Sequence, residues 1–359
     1  MACYTSRGSG GRSGPALAIC ALMMLMLAAP VRADRVDDII SEEMSAQHIP
    51  GLALAVMRDG KVLRFGGYGE SNTESKTPVT AKTVFAIASI SKQFLAAGIM
   101  ILVQDGKIAL DDSVQRFLPD APVEWRAITI RELLSHTSGL VSDTPGENRF
   151  ETQLPLDAIH AAYGVPLSYR PGQKWQYSNL GYYVLAEIMS RSSGQQWSDF
   201  MAHRVFGPLA MSSTRTTDSS VPDRATGYEW DGKSLNRARE WGLRPSGAYL
   251  SNVEDMAKWD AALAGAFPLS SASKQTMWTA VSQPTGNSFG YGFGWAVDTR
   301  AGKRVIYHNG GRSGFKAYFA RFPEDHLAFV ILTNAGHSDP EPILWEVAST
   351  WLPGVNAGK

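Results

Sequence analysis

Ala88-Ser89-Ile90-Ser91-Lys92-Gln93-Phe94 is the stretch that decides how this chain is read. Ser89 and Lys92 stand three residues apart at a predicted helix start, so their side chains share one helical face. A serine hydroxyl is a poor nucleophile near neutral pH, because its proton must leave as it attacks. A lysine one turn on can take that proton if burial beside polar partners lowers its pKa. The helix N-terminus adds free N–H groups and a positive dipole end where an oxyanion would form. The stretch points to a hydrolase that works through an acyl-enzyme.

Spacing alone does not single it out, since Ser271-Ala272-Ser273-Lys274 and Ser313-Gly314-Phe315-Lys316 share it. Context does. Ser89 follows the apolar run Val84-Phe85-Ala86-Ile87 and precedes the long apolar helix pattern Phe94 to Val103. Ser271 lies in a polar stretch, and Ser313 follows paired glycines in a turn. Only Ser89 has a buried helix to hold its side chain rigidly.

Residues 1–33 read as a secretory leader. Arg7 and Arg12 form a basic start, Ala16 through Ala29 an apolar core, and Val31-Arg32-Ala33 a cleavage site before Asp34. The apolar core is short for a membrane span, and the competing reading is an uncleaved anchor. Both cysteines, Cys3 and Cys20, fall inside the leader. The expected mature chain, residues 34–359, then has no disulfide, thiol nucleophile or cysteine metal site. Its formal charge is −3 once Arg7, Arg12 and Arg32 are gone. That balance gives no reason to expect nucleic acid or an anionic membrane as partner. A periplasmic or secreted location is expected, with a small molecule as partner.

The order of elements suggests an α/β (α+β) protein. A helix at Val36 to Met44 leads to a hairpin, Gly51 to Met57 and Val62 to Tyr68, around the turn Arg58-Asp59-Gly60-Lys61. From Ser89 to about Leu263 the pattern is helical and loop-like. Strands return at Tyr291 to Val297, Arg304 to Tyr307, Phe315 to Arg321 and Leu327 to Thr333, followed by a helix from Pro342 to Trp351. An antiparallel sheet built from both ends of the chain, flanked by helices and carrying an inserted helical region, is predicted. The sheet part covers about 34–88 and 288–359, the helical part about 89–287.

Two further stretches carry candidate chemistry. Tyr177-Ser178-Asn179 lies on a loop entering a predicted helix from Leu180 to Ser190. A tyrosine near cationic groups can have its pKa lowered and accept a proton. The asparagine can donate to a substrate carbonyl and orient the lysine, while a packed aromatic beside a helix cap is the plain alternative. His308-Asn309-Gly310-Gly311 follows the strand-like Val305-Ile306-Tyr307. Its glycines would let substrate backbone approach a strand edge, and its histidine can donate a hydrogen bond without a full charge. An ordinary turn with a half-exposed histidine is the alternative there.

In this order the stretches resemble the serine β-lactamase and penicillin-binding-protein superfamily, nearest its class C branch. That branch includes family VIII esterases, D,D-carboxypeptidases and D-aminopeptidases. The resemblance spans nearly the whole expected mature chain. It is supported by Gly106 to Asp112, Ile130 to Leu140, Gly247 to Trp259 and Tyr291-Gly292-Phe293-Gly294-Trp295. The resemblance implies the β-lactamase/transpeptidase-like fold, Ser89 as acylated nucleophile, and Lys92 with Tyr177 as the acid/base pair. It further implies Asn179 as a substrate-orienting residue, and an oxyanion held by the N–H groups of Ser89 and Gly311. His308 and Gly310 complete the third motif, and His136-Thr137-Ser138-Gly139 matches a supporting stretch. No metal or organic cofactor is expected.

One position departs from the β-lactamase pattern. Lys-Thr-Gly is usual on the third motif, where the lysine attracts a substrate carboxylate; here it is His308-Asn309-Gly310. The loss of fixed charge favours an esterase or peptidase-like enzyme, with β-lactamase or D,D-carboxypeptidase action as the alternative. Arg312 reads as a solvated turn residue. Trp230, Trp241 and Tyr228, around Asp231 to Arg237, read equally as a pocket wall or as a surface hairpin with buried aromatics.

Rival chemistries fit less well. Gly286-Asn287-Ser288-Phe289-Gly290 matches Gly-x-Ser-x-Gly, with Asp298 and His308 following, but it lacks the strand before and helix after that such an elbow needs. The seven histidines show no paired ligand spacing. A sensor that is acylated and deacylates slowly would keep the same residues and stays open.

Overall fold

The computed structural model describes residues 1–2, 35–282 and 289–356. The leader reading and Ser288 therefore lie outside the described residues. A helix α1 (35–46) precedes strands β1 (Gly51–Arg58), β2 (Lys61–Asn72), β3 (Thr77–Pro78) and β4 (Phe85–Ala86). Helices α2 (Ser91–Gln104), α3 (Ile130–Leu134), α4 (Pro155–Ala161), α5 (Asn179–Ser193) and α6 (Trp197–Met201) follow. Next come short strands β5 (Arg215–Thr216), β6 (Tyr228–Trp230), β7 (Leu235–Arg237) and β8 (Tyr249–Ser251), then α7 (Val253–Ala264) and α8 (Ser271–Met277). The chain closes with β9 (Ala296–Arg300), β10 (Lys303–Arg312), β11 (Phe315–Phe322), β12 (Leu327–Thr333) and α9 (Pro340–Ser349).

Among the described residues, the main sheet has seven strands in the order β3-β2-β1-β12-β11-β10-β9. Strands β1 and β12, from opposite ends of the chain, pair antiparallel at its centre, Leu52 opposite Thr333 through Arg58 opposite Leu327. Asp59 and Gly60 both take positive φ, 52° and 70°, the geometry a two-residue hairpin turn demands.

Every residue of β12 is buried, because both sheet faces are covered. Side chains alternate between those faces. Leu52, Leu54, Val56, Phe329 and Ile331 pack with Val36, Ile40, Leu344 and Val347 of α1 and α9. Ala53, Ala55, Met57, Ala328, Val330 and Leu332 face the other core, which includes α2, α5 and α7. Helix α2 is buried on all sides, which its sequence Phe94-Leu95-Ala96-Ala97-Gly98-Ile99-Met100 anticipates. A buried ion pair, Arg321 to Asp260 at 2.6 Å, joins β11 to α7 across that core.

Two features bear on the site. The run Tyr291 to Val297 is not a strand; β9 starts only at Ala296. Gly294 sits at φ +76° and packs so closely on the start of α2 that a Cβ there would lie 2.7 Å from the Lys92 carbonyl oxygen. The alternating aromatics of that run thus belong to a loop seated on a helix. Second, the strand predicted over Arg304 to Tyr307 runs on through His308-Asn309-Gly310-Gly311 to Arg312, which is the strand-edge reading of that stretch and not its turn alternative. Strand β9 pairs with β10 over Lys303 to Tyr307, so among the described residues the outer edge of His308 to Arg312 has no strand neighbour. The turn carrying Ser89 lies against this edge.

Candidate active site

Ser89 lies in a single 3-10 turn, Ala88–Ile90, that runs directly into α2. Ala88 takes φ +46°, a left-handed conformation that costs a non-glycine residue about 1 kcal/mol or more and needs outside support. The support is on both sides. Ile87 N–H donates to the Tyr249 carbonyl at 3.0 Å, and Tyr249 N–H donates to Ser91 Oγ at 3.1 Å. Across the turn, a Cβ on Gly310 would fall 2.2 Å from the Ile87 carbonyl oxygen. Glycine at 310 is therefore what lets β10 close on the serine turn.

Lys92 is fully buried, and its amine has three neighbours. Nζ donates at 2.8 Å to Asn179 Oδ1 and at 2.8 Å to the Ser246 carbonyl oxygen. The third neighbour, Ser89 Oγ, lies at 3.2 Å. Two carbonyl oxygens accept two amine hydrogens; the remaining position faces a hydroxyl that can itself donate. Burial pushes the lysine well below its ordinary pKa, opposed only in part by the Asp143 carboxylate. A neutral amine with its lone pair on Ser89 satisfies every partner in this arrangement.

Asn179 is the first residue of α5, whose start is capped by Ser178 Oγ accepting from Gly181 N–H at 3.1 Å. Its Nδ2 donates to Asp143 Oδ1 at 2.7 Å, which fixes the amide so that Oδ1 faces Lys92. Tyr177 precedes the cap, lines the cavity beside Ser89, and holds its ring 4.7 Å from Lys92 Nζ. Desolvation drives its pKa upward, outweighing the nearby Ser89 hydroxyl, which acts the other way. The expected acidified tyrosine gives way to a phenol that keeps its proton, because burial outweighs any cation nearby and Lys92 is itself desolvated.

His136 braces this loop. It is buried against the rings of Tyr177 at 4.4 Å and Tyr291 at 4.8 Å, and its Nδ1 accepts the Ser178 N–H at 3.2 Å. Burial pushes its pKa far down, so the ring is neutral with its proton on Nε2. His308 is buried as well. Its Nδ1–H donates to the Asn309 carbonyl oxygen at 2.6 Å, and its Nε2 accepts the Tyr291 hydroxyl at 2.9 Å. Both ring nitrogens are occupied, and desolvation pushes the pKa down to about 3. The expected substrate-facing histidine is instead an internal brace between β10 and the Tyr291 loop.

The structure thus brings Ser89, Lys92, Tyr177 and Asn179 together, with Gly310 and Gly311 on the facing strand edge. Among the described residues, two cavities meet at Ser89. One, of about 260 Å³, is lined by Ala88, Asp143, Glu147, Arg149, Trp241, Arg244, Gly311 and Arg312 besides the central four-residue group's Ser89, Tyr177 and Asn179. The other, of about 490 Å³, includes Trp175, Asn309, Lys316 and Asp339. Residues that sequence reading missed are Asp143, which fixes Asn179, and Lys316, whose Nζ would lie 3.2 Å from a Cβ on Gly311. Lys316 is cross-strand from Gly311, a relation that only the register reveals. Arg312 is not a solvated turn residue: it is 8% exposed and its Nη2 donates to the Trp241 carbonyl oxygen at 2.5 Å.

The aromatic hairpin divides between its two readings. Trp241 walls the smaller cavity. Trp230 stacks on His48 at 4.0 Å and Tyr228 is buried with its hydroxyl on Glu74, and neither lines either of these cavities. Among the described residues no cluster of three or more His, Cys, Asp or Glu is arranged to hold a metal ion. Among them too, no helix is long and apolar enough to cross a membrane.

Comparison with known proteins adds relatives to this geometry. A family profile described as Beta-lactamase matches residues 36–348. Penicillin-binding protein 4* of Bacillus subtilis is 29% identical over 318 residues, covering 82% of this chain and 70% of its own length. Protein flp of Staphylococcus aureus is 27% identical over 338 residues, covering 89% of this chain and 66% of its own. The chain therefore spans about two thirds of the length of these curated relatives. Among solved structures, the octameric penicillin-binding protein homologue from Pyrococcus abyssi superposes with a TM-score of 0.81 at 25% identity. That match covers 90% of this chain and 78% of the other.

Proposed function

We propose that this chain, which belongs to the beta-lactamase family of serine hydrolases, cleaves esters or amides through an acyl-enzyme on Ser89. The observation that carries the reading is the desolvated Lys92 amine, held by the Asn179 and Ser246 oxygens with Ser89 Oγ as its third neighbour. Ser89 Oγ attacks the substrate carbonyl carbon as Lys92 takes the hydroxyl proton. The carbonyl oxygen gains negative charge between the N–H groups of Ser89 and Gly311, where the α2 dipole also acts. Tyr177, still protonated, gives its proton to the leaving oxygen or nitrogen as that bond breaks, and is reprotonated from Lys92. Water then attacks the acyl-enzyme by the same route in reverse, returning the proton to Ser89.

Esterase or peptidase-like cleavage is the first choice within this class. β-Lactamase or D,D-carboxypeptidase action is the alternative, and a slowly deacylating sensor a further one. The leader pattern of residues 1–33 makes export part of the proposal. Pre-steady-state hydrolysis of 4-nitrophenyl acetate tests the chemistry. A burst of nitrophenol equal to the enzyme present, with one acetyl group on the Ser89 peptide, is expected. Full turnover by Ser89→Ala would defeat the reading, and a stable acyl adduct without turnover would select the sensor.

A further inference from the structure

Among the described residues, Arg312 is a buried charge without a counter-ion. It is 8% exposed, and its one hydrogen-bond partner among the described residues is the Trp241 carbonyl oxygen. The guanidinium also lies 5.9 Å from the Trp241 ring centre. The carboxylates of the same cavity are already engaged. Glu147 accepts from Arg244 at 2.6 Å and from Arg149 at 3.1 Å. Asp143 accepts from Asn179 at 2.7 Å and lies 4.0 Å from Arg149. Glu240, the other acid in the field of Arg312, is paired with Arg224 at 2.8 Å. Among the described residues no carboxylate forms an ion pair with Arg312. Taking a guanidinium out of water without a partner is costly, and a fold normally pairs such a group. Desolvation accordingly lowers its pKa to about 10, where it is still charged at neutral pH.

The position of this charge makes it a recognition element. Arg312 directly follows Gly311 and lines the cavity that contains Ser89. Of the two cavities meeting at the serine, this one is the smaller, about 260 Å³ against about 490 Å³. The acyl half of a substrate stays on the enzyme through the covalent intermediate, while the leaving half must escape. The tighter cavity suits the half that stays, and the wider one the half that departs. An anionic group entering the tighter cavity would complete the coordination of Arg312 over the face of Trp241.

We infer that Arg312 is the specificity residue for an acyl group bearing a carboxylate, so that preferred substrates are monoesters or monoamides of short dicarboxylic acids. This rests on the acyl-enzyme reading and adds the chemical class of the acyl half. The charge missing at His308 is supplied one strand position beyond the motif's glycines, and on the acyl rather than the leaving side.

Monoethyl glutarate and ethyl valerate, which differ in a terminal carboxylate against methyl, test the assignment by pH-stat kinetics. The wild type should favour the glutarate ester in kcat/KM. Arg312→Gln should lower that preference roughly 10- to 100-fold, mainly through KM, as expected for losing a charge-assisted contact. Arg312→Lys should keep part of it. An unchanged preference in Arg312→Gln, or one lost in Lys316→Gln instead, would overturn the inference. Should Arg312→Gln not fold, protection of wild-type Ser89 from a fluorophosphonate decides. Glutarate ester protecting at lower concentration than valerate ester supports the assignment, and equal protection overturns it. Failure of the wild type to hydrolyse either ester or to be labelled at Ser89 would refute the acyl-enzyme reading itself.

Discussion

Replacing Lys92 by methionine separates the neutral-amine account from one in which the lysine is a cation. If Lys92 is neutral in the folded protein, folding must remove its proton at any pH below the unfolded-state value, roughly 10.4. Its folded pKa is depressed by burial, so between the two values the unfolded chain binds more protons than the folded one. Wild-type stability then rises with pH through that window by about 1.4 kcal/mol per unit, relative to a variant lacking the group. From pH 7.5 to 9.5 the difference between wild type and Lys92→Met should shift by about 2.7 kcal/mol in favour of wild type. A chain of this length unfolds with an entropy of about 0.7 kcal/mol/K, so the shift is about 4 °C in relative Tm. The variant also leaves Asn179 Oδ1 and the Ser246 carbonyl without a donor, at about 1–3 kcal/mol each. That cost is a constant offset and does not enter the slope. Paired calorimetric melts across the pH range give the slope directly. Parallel curves between pH 7.5 and 9.5 would mean that Lys92 is charged in the fold, and would refute its role as base.

Other expected outcomes follow from the same geometry. Tyr177→Phe removes the proton donor for the leaving group, so kcat should fall roughly 10²- to 10⁴-fold for an alkyl ester. It should fall far less for a 4-nitrophenyl ester, whose leaving group needs no proton; equal losses would argue for a purely structural tyrosine. Gly310→Ala forces a methyl against the Ile87 carbonyl oxygen, 2.2 Å from its ideal Cβ position. Activity should drop roughly 100-fold, comparable to losing an oxyanion donor, and a change below threefold in kcat/KM would contradict the close approach. Arg321→Ala leaves Asp260 buried without its partner and should destabilise the protein by about 3–5 kcal/mol in urea melts. A loss under about 0.5 kcal/mol would show that the pair is solvated.

What the sequence disclosed and what it hid follow a physical division. The Ser89–Lys92 pair was legible because a helix fixes the relation of residues three apart, and the apolar run behind it marked α2 as buried. The β1–β2 hairpin was legible from its Asp59-Gly60 turn. The returning strands β10 to β12 showed in their β-branched and aromatic composition, and the antiparallel sheet of both chain ends was read correctly. Less visible were features set by packing between distant segments. Glu147 and Arg244, 97 positions apart, meet in the cavity wall with no local signal. Arg312 read as solvated because glycines surround it, yet the strand continues through them and buries its side chain under Trp241. Tyr177 and His308 were read by intrinsic chemistry, as a proton acceptor and a substrate donor. Desolvation and the Tyr291 contact reversed both readings, and neither is written in local sequence. Tyr291 to Val297 alternates like a strand, but Gly294 must take a positive φ to seat the loop on α2.

The central claim is that Ser89 is a nucleophile activated by Lys92, and covalent labelling tests it most directly. The protein would be exposed to a small fluorophosphonate, digested and mapped by peptide mass spectrometry, alongside Lys92→Ala. The account predicts one adduct, on Ser89, at a rate that collapses in the lysine variant. An adduct on Ser288, no adduct at all, or undiminished labelling without Lys92 would contradict it.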